Sequence, residues 1–274
     1  MKECHYNKYI FNNRIALCKD FDNDRTIRGI SPYEVFKIIE GIPLFLEDHI
    51  DRLKNSIVSK NLEFCFEDDQ IKKNIDELQK INNVYNGNIK LLVNYFGSEV
   101  NCFLFFVRHK YPTPDEYSNG VPLSFFQGVR ENPNVKLINS DLNNAAVKEK
   151  SSKKVYEILL VDDNGNITEG SMSNVFFIQG SGIYTPPLKS VLPGITRKYV
   201  ISVCGNNGIR VNEKEIHISE MESFDAVFIT GTSSNVLPVS GIERLTFDPH
   251  DNILRFIMQE FDKVIETYLR KFKI

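Results

Sequence analysis

Between residues 155 and 187 four runs, VYEILLV, NITEG, NVFFIQ and IYTPP, follow one another with only short turn segments between them, among them Asp162-Asp163-Asn164-Gly165 and Gly180-Ser181-Gly182. Parallel strands need a crossover of about a dozen residues or more, which these gaps cannot hold. The stretch is therefore confined to antiparallel hairpins. A second hairpin is predicted nearer the N-terminus, where Ile89–Phe96 and Val100–Val107 flank a glycine-containing turn.

Helices are predicted between these strands. In Glu47–Lys60, Ile50, Leu53 and Ile57 share one helical face. Further helices are expected over Glu67–Ile81, around Asp141–Lys150, from Gly194 to Gly208 and from Asn252 to Lys271. The run Ser31-Pro32-Tyr33-Glu34 has a capping-box pattern and predicts a helix start. Strands are read at Tyr9–Cys18 (a pair), Ile42–Leu46, Val121–Phe126 and Asp225–Thr230. The segment HKYPTPDEYSNG, residues 109–120, carries two prolines, a glycine and no apolar period, and marks a domain boundary. The reading is α+β without Rossmann alternation: a smaller α/β domain over 1–112, a linker at 113–120, and a domain rich in antiparallel sheet over 121–274.

A chain of 274 residues with 42% apolar and 25% charged content has ample material for a folded core. Its 33 basic and 36 acidic residues leave a formal charge of -3, which argues against nucleic acid as a partner. No run approaches the roughly 18–20 apolar residues of a membrane span, and no signal-peptide h-region opens the chain. The expected location is the cytoplasm. Cys4, Cys18, Cys65, Cys102 and Cys204 are odd in number and widely spaced, so reduced thiols are expected. The five histidines show no metal-ligand spacing, and no metal is expected.

The common nucleotide, zinc-protease and hydrolase signatures are absent. Two segments favour anions instead. Gly194-Ile195-Thr196 opens a helix, where unpaired N–H groups and the helix dipole attract phosphate. Gly231-Thr232-Ser233-Ser234 follows a strand and adds N–H and hydroxyl donors.

The segments VKLINSDLNNAAVKEK, VYEILLVDDNGNITEGSMSNVFFI, IYTPPLKSVLPGITRKYV and SFDAVFITGTSSNVLPV, with PYEVFKIIEGIPLFLEDHIDRL upstream, resemble in order the fold-type-IV (class IV) pyridoxal-phosphate aminotransferases. That group holds branched-chain and D-amino-acid aminotransferases and aminodeoxychorismate lyase. The resemblance implies a homodimer that uses pyridoxal 5′-phosphate to move an amino group between an amino acid and a 2-keto acid. Its Lys-x-x-Asn segment selects Lys136, with Asn139, as the lysine that forms a Schiff base with the cofactor and carries the proton. Lys148, Lys150 and Lys153 compete for that role from a polar helix. The Glu-Gly motif places Glu169 against the ring nitrogen, where a carboxylate favours the protonated form. Arg52, Ile195, Thr196 and Thr232 are implied as phosphate ligands, Leu192 as the ring-face contact, and Tyr33 and Ser233 as substrate-side residues.

Departures from the pattern bear on substrate. Ser140 stands where branched-chain enzymes carry Tyr. Asn94-Tyr95-Phe96-Gly97 replaces the Arg-Gly that assists with a carboxylate, and Arg28-Gly29-Ile30-Ser31 replaces Phe-Gly-Asp-Gly, with Arg28 a possible relocated charge. The retained Gly170-Ser171-Met172-Ser173-Asn174 favours transamination over two alternatives, a carbon–oxygen lyase on the same cofactor and a cofactor-binding protein without turnover.

Overall fold

The structure is a computed structural model that describes residues 3–138 and 140–272. Its elements are β1 (Cys4–Phe11), β2 (Arg14–Leu17), α1 (Asn23–Ile27), β3 (Tyr33–Ile39), β4 (Ile42–Pro43), α2 (Leu46–Val58), α3 (Asp68–Asn82), β5 (Gly87–Phe96), β6 (Glu99–Val107), α4 (Pro114–Asn119), β7 (Val121–Gln127) and α5 (Ser140–Lys153). There follow β8 (Glu157–Val161), β9 (Asn166–Gly170), β10 (Asn174–Gln179), β11 (Gly182–Thr185), α6 (Ile195–Asn206), β12 (Val211–Glu213), β13 (Ile216–His217), β14 (Ala226–Gly231), β15 (Asn235–Ile242), β16 (Leu245–Thr246) and α7 (Asn252–Arg270).

Two compact units form. The first takes 3–110 together with 135–138 and 268–272; the second takes 111–134 and 140–267. The four residues 135–138, which include Lys136, therefore pack with the N-terminal unit. Within 113–120, read from sequence as a linker, Pro114–Asn119 is helical. Thr113 and Glu116 close a reciprocal capping box at its start.

The first unit is built on an antiparallel sheet in the order β2-β1-β6-β5-β3-β4. One face packs on α2 and α3 through Phe36, Leu53, Ile57, Leu78, Ile89 and Phe106. The other buries Tyr9, Phe21, Leu92, Phe103 and Phe105. The expected helix at Ser31 is instead strand β3. Its residues alternate, with Glu34, Phe36 and Ile38 buried, and Tyr33 to Ile38 pair with β5. Period-2 burial outweighs a local capping signal. Cys4 and Cys18 are joined as a disulfide, which corrects the expectation of five thiols; Cys65, Cys102 and Cys204 are reduced.

The second unit holds a ten-stranded sheet, β12-β11-β10-β14-β15-β7-β8-β9-β13, with β16 on β15. The predicted hairpins are present, but the sheet is mixed. β7 runs parallel to β8 and to β15, and β11 parallel to β12. Helices α5 and α6 supply the crossovers for β7–β8 and β11–β12. Its core includes Val121, Leu159, Val175, Phe177, Val227 and Leu237.

Candidate active site

In the first unit, β3 and the facing side of α2 bring four polar side chains together. Leu46–Val58 presents His49, Arg52 and Ser56 on its buried face, beside Leu53 and Ile57. Burying a guanidinium is costly unless it is paired. Glu34 of β3 pairs with it, accepting from Arg52 Nε at 2.7 Å and Nη2 at 2.6 Å. His49 Nδ1 lies 2.7 Å from the same carboxylate. Burial raises the Glu34 pKa, but the charge and hydrogen bonds of Arg52 and the His49 contact outweigh it and hold the carboxyl down at about 2. Burial lowers the His49 pKa despite Glu34. An ionised carboxylate only accepts, so Nδ1 carries the proton of a neutral ring.

Lys136 is tied to this group through its backbone. Its carbonyl accepts from Tyr33 N–H at 3.1 Å, and its N–H donates to Ser56 Oγ at 3.3 Å. The Lys136 ammonium lies 4.9 Å from the centre of the Tyr33 ring. Lys90 Nζ lies 4.4 Å from the same ring and is ion-paired with Glu3 at 2.5 Å. Arg52, Tyr33 and Lys136 thus share one unit and one neighbourhood, while Asn139 lies outside the described residues. Of the competing lysines, Lys153 pairs with Glu149 and Glu243 near the surface, and Lys150 lies over Tyr156.

In the second unit, the remaining predicted residues gather at one end of the sheet. Glu169 is the penultimate residue of β9, 3% exposed. Its Oε1 accepts from Arg130 Nε at 2.8 Å and its Oε2 from Leu192 N–H at 3.0 Å. Leu192 is fixed from its other side, because its carbonyl accepts from Asn174 Nδ2 at 2.9 Å. Asn174 opens β10 opposite Thr230 of β14, whose end leads into the Gly231–Ser234 turn with Thr232 and Ser233. A Cβ on Gly194 would stand 1.9 Å from Asn174 Oδ1, so only glycine lets the start of α6 approach this closely. No side chain caps α6 at Gly194, and the buried Ile195 and Thr196 begin the helix with backbone donors outward along its axis.

Four residues escaped the sequence reading. Glu34, His49, Arg130 and Asn174 come from segments remote from the groups they hold. Among the described residues no group of three or more His, Cys, Asp and Glu side chains could hold a metal ion. No described helix is long and apolar enough to cross a membrane.

A buried carboxylate held by a guanidinium thus lies beside an uncapped helix start. Residues 31–242 match the family described as amino-transferase class IV. The chain belongs to that family. It is 31% identical over 258 residues to a D-alanine aminotransferase from Bacillus licheniformis, covering 87% of this chain and 89% of that one. It is 26% identical to an aminodeoxychorismate lyase from Bacillus subtilis (strain 168), over 85% of this chain and 84% of the other. Its fold is that of a branched-chain amino acid aminotransferase from Escherichia coli, with a TM-score of 0.82 at 19% identity over 95% of each chain.

Proposed function

We propose that this class IV aminotransferase moves an amino group between an amino acid and a 2-keto acid with pyridoxal 5′-phosphate. The observation that carries the reading is the Glu169 carboxylate, buried and aligned by Arg130 and Leu192 at the sheet end where α6 begins. These residues fit the cofactor: an acceptor for a ring N–H, and helix-start donors for a phosphate. When bound, the cofactor withdraws electrons from the substrate α-carbon.

In this reading Lys136 would hold the cofactor through its amine, and the same amine would carry the proton off the substrate α-carbon as general base, a role worth about 10²–10⁴ in rate. Glu169 holds a proton on the ring nitrogen. Arg52, Ile195, Thr196 and Thr232 bind the phosphate, and Leu192 packs on the ring. Tyr33 and Ser233 face the substrate. A homodimer is part of the proposal, and light scattering of the purified protein tests it directly.

The deciding experiment adds a panel of L- and D-amino acids to the cofactor-loaded protein and follows its absorbance. Loss of the band with amino acids and its recovery with keto acids is the expected result. Pyruvate release from aminodeoxychorismate without an amino acceptor would instead make the protein a lyase. An unchanging band would leave a binder without turnover.

A further inference from the structure

Glu157, the first residue of β8, is 3% exposed, and no lysine or arginine among the described residues forms an ion pair with it. Four dipoles compensate its carboxylate. Oε1 accepts from Ile158 N–H at 2.8 Å and Ser171 Oγ at 2.6 Å. Oε2 accepts from Met172 N–H at 3.2 Å and Ser173 Oγ at 3.4 Å. Three of the four donors lie in the turn that follows Glu169-Gly170. A buried anion without a counter-ion is tolerable only while such donors are held in place, so the turn and the carboxylate fix each other. Glycine at 170 is part of the arrangement, because a Cβ there would meet Ser173 Oγ at 2.1 Å and Glu157 Cγ at 3.2 Å.

The turn is also where Arg130 is anchored. Arg130 Nη2 donates to the Ser171 carbonyl at 2.5 Å, while its Nε donates to Glu169 at 2.8 Å. A guanidinium is a rigid fork, so fixing one prong sets the direction of the other. Glu157, through the Ser171 hydroxyl, and the Ile158 carbonyl, which accepts from Ser171 N–H at 2.9 Å, together hold Ser171; the Ser171 carbonyl in turn directs Arg130 towards the Glu169 carboxylate.

We propose that Glu157 is a positioning residue that sets the orientation of Glu169 through Ser171 and Arg130 without touching it. The proposal rests on the reading that Glu169 serves the cofactor ring nitrogen. Replacing one acceptor oxygen by an amide donor, as in Glu157→Gln, opposes the backbone N–H that points at it and forces the serine hydroxyl there to turn round and accept, which loosens the turn. Arg130→Met removes the middle of the relay.

The test is a double-mutant cycle on the full chain with Glu157→Gln, Arg130→Met and the pair. Three quantities are read: the exchange rate of the Met172 amide in cofactor-free protein, and the dissociation constant and absorbance pH profile of bound pyridoxal 5′-phosphate. Glu157→Gln should speed Met172 exchange and weaken cofactor binding by about tenfold each, with a shifted pH profile. The double variant should bind no more weakly than Arg130→Met alone. Faster exchange with wild-type binding and profile would overturn the proposal, as would losses that multiply. If the wild-type protein takes up no cofactor, the reading of Glu169 fails separately; the relay then stands or falls on whether the two substitutions share their effect on Met172 exchange. Should Glu157→Gln not fold, Ser171→Ala, which removes one donor and leaves the carboxylate, must speed Met172 exchange and weaken cofactor binding.

Discussion

The Arg52 guanidinium and the Glu34 carboxylate meet side by side, each nitrogen on its own oxygen, with Glu34 0% exposed. This bidentate pairing fixes the direction of Arg52 before any ligand arrives. Glu34→Gln leaves a buried cation without its partner, which costs about 3–5 kcal/mol of stability. Urea denaturation of the cofactor-free protein measures it; a loss near zero would show that the pair does not hold the unit together.

The same pair gives the protein an acid limb. The Glu34 pKa is about 2 in the fold against an ordinary 4.5, so the fold binds this proton less readily than the unfolded chain does. The resulting stabilisation, on the order of 3 kcal/mol, is complete above the ordinary value and drains away as pH falls towards 2. His49, lowered by burial, adds to the acid loss from its own ordinary value downwards. Unfolding midpoints should therefore fall steeply from pH 5 to 3, a slope that Glu34→Gln should flatten. Equal slopes in both proteins would contradict this assignment.

Glu169→Ala removes the proposed acceptor for the ring nitrogen while leaving Lys136 and Arg52 in place. Retained cofactor with turnover lower by about 10²-fold or more is expected. Single-turnover absorbance measurements separate the two effects, and an unimpaired rate would rule out Glu169 as the partner of the ring nitrogen.

The Cys4–Cys18 disulfide leaves three thiols, of which Cys102 and Cys204 are buried. Burial raises the Cys102 pKa to about 12 and that of Cys204 to about 11, so Cys65 should react first in the native protein. Thiol titration of non-reduced, denatured protein should count three. Five would mean that the pair is reduced, as in a reducing compartment.

Much of this was legible in the chain because hairpin spacing and helical periodicity are local. The β5–β6 hairpin, α2, α3 and the β8–β11 series all follow from such patterns. Tyr33–Ile39 misleads because Ser31-Pro32 imitates a cap, whereas pairing with β5 decides the outcome. β15 escapes notice for its proline. Pro238 sits opposite Phe228, just before pairing with β7 begins at Val239, so its missing N–H is tolerated. The motif residues Lys136 and Glu169 stand out through resemblance alone, whereas Thr196 is also marked by the helix start it shares with Gly194. Arg130, Asn174 and Glu157 do not, because each acts through a hydrogen bond to a segment distant in sequence.

If the Lys136 amine bears the cofactor, borohydride reduction of the loaded protein followed by peptide mass mapping will find a single reduced adduct, on the peptide containing Lys136, and none in Lys136→Ala. An adduct on Lys148, Lys150 or Lys153, or undiminished attachment in that variant, would contradict it.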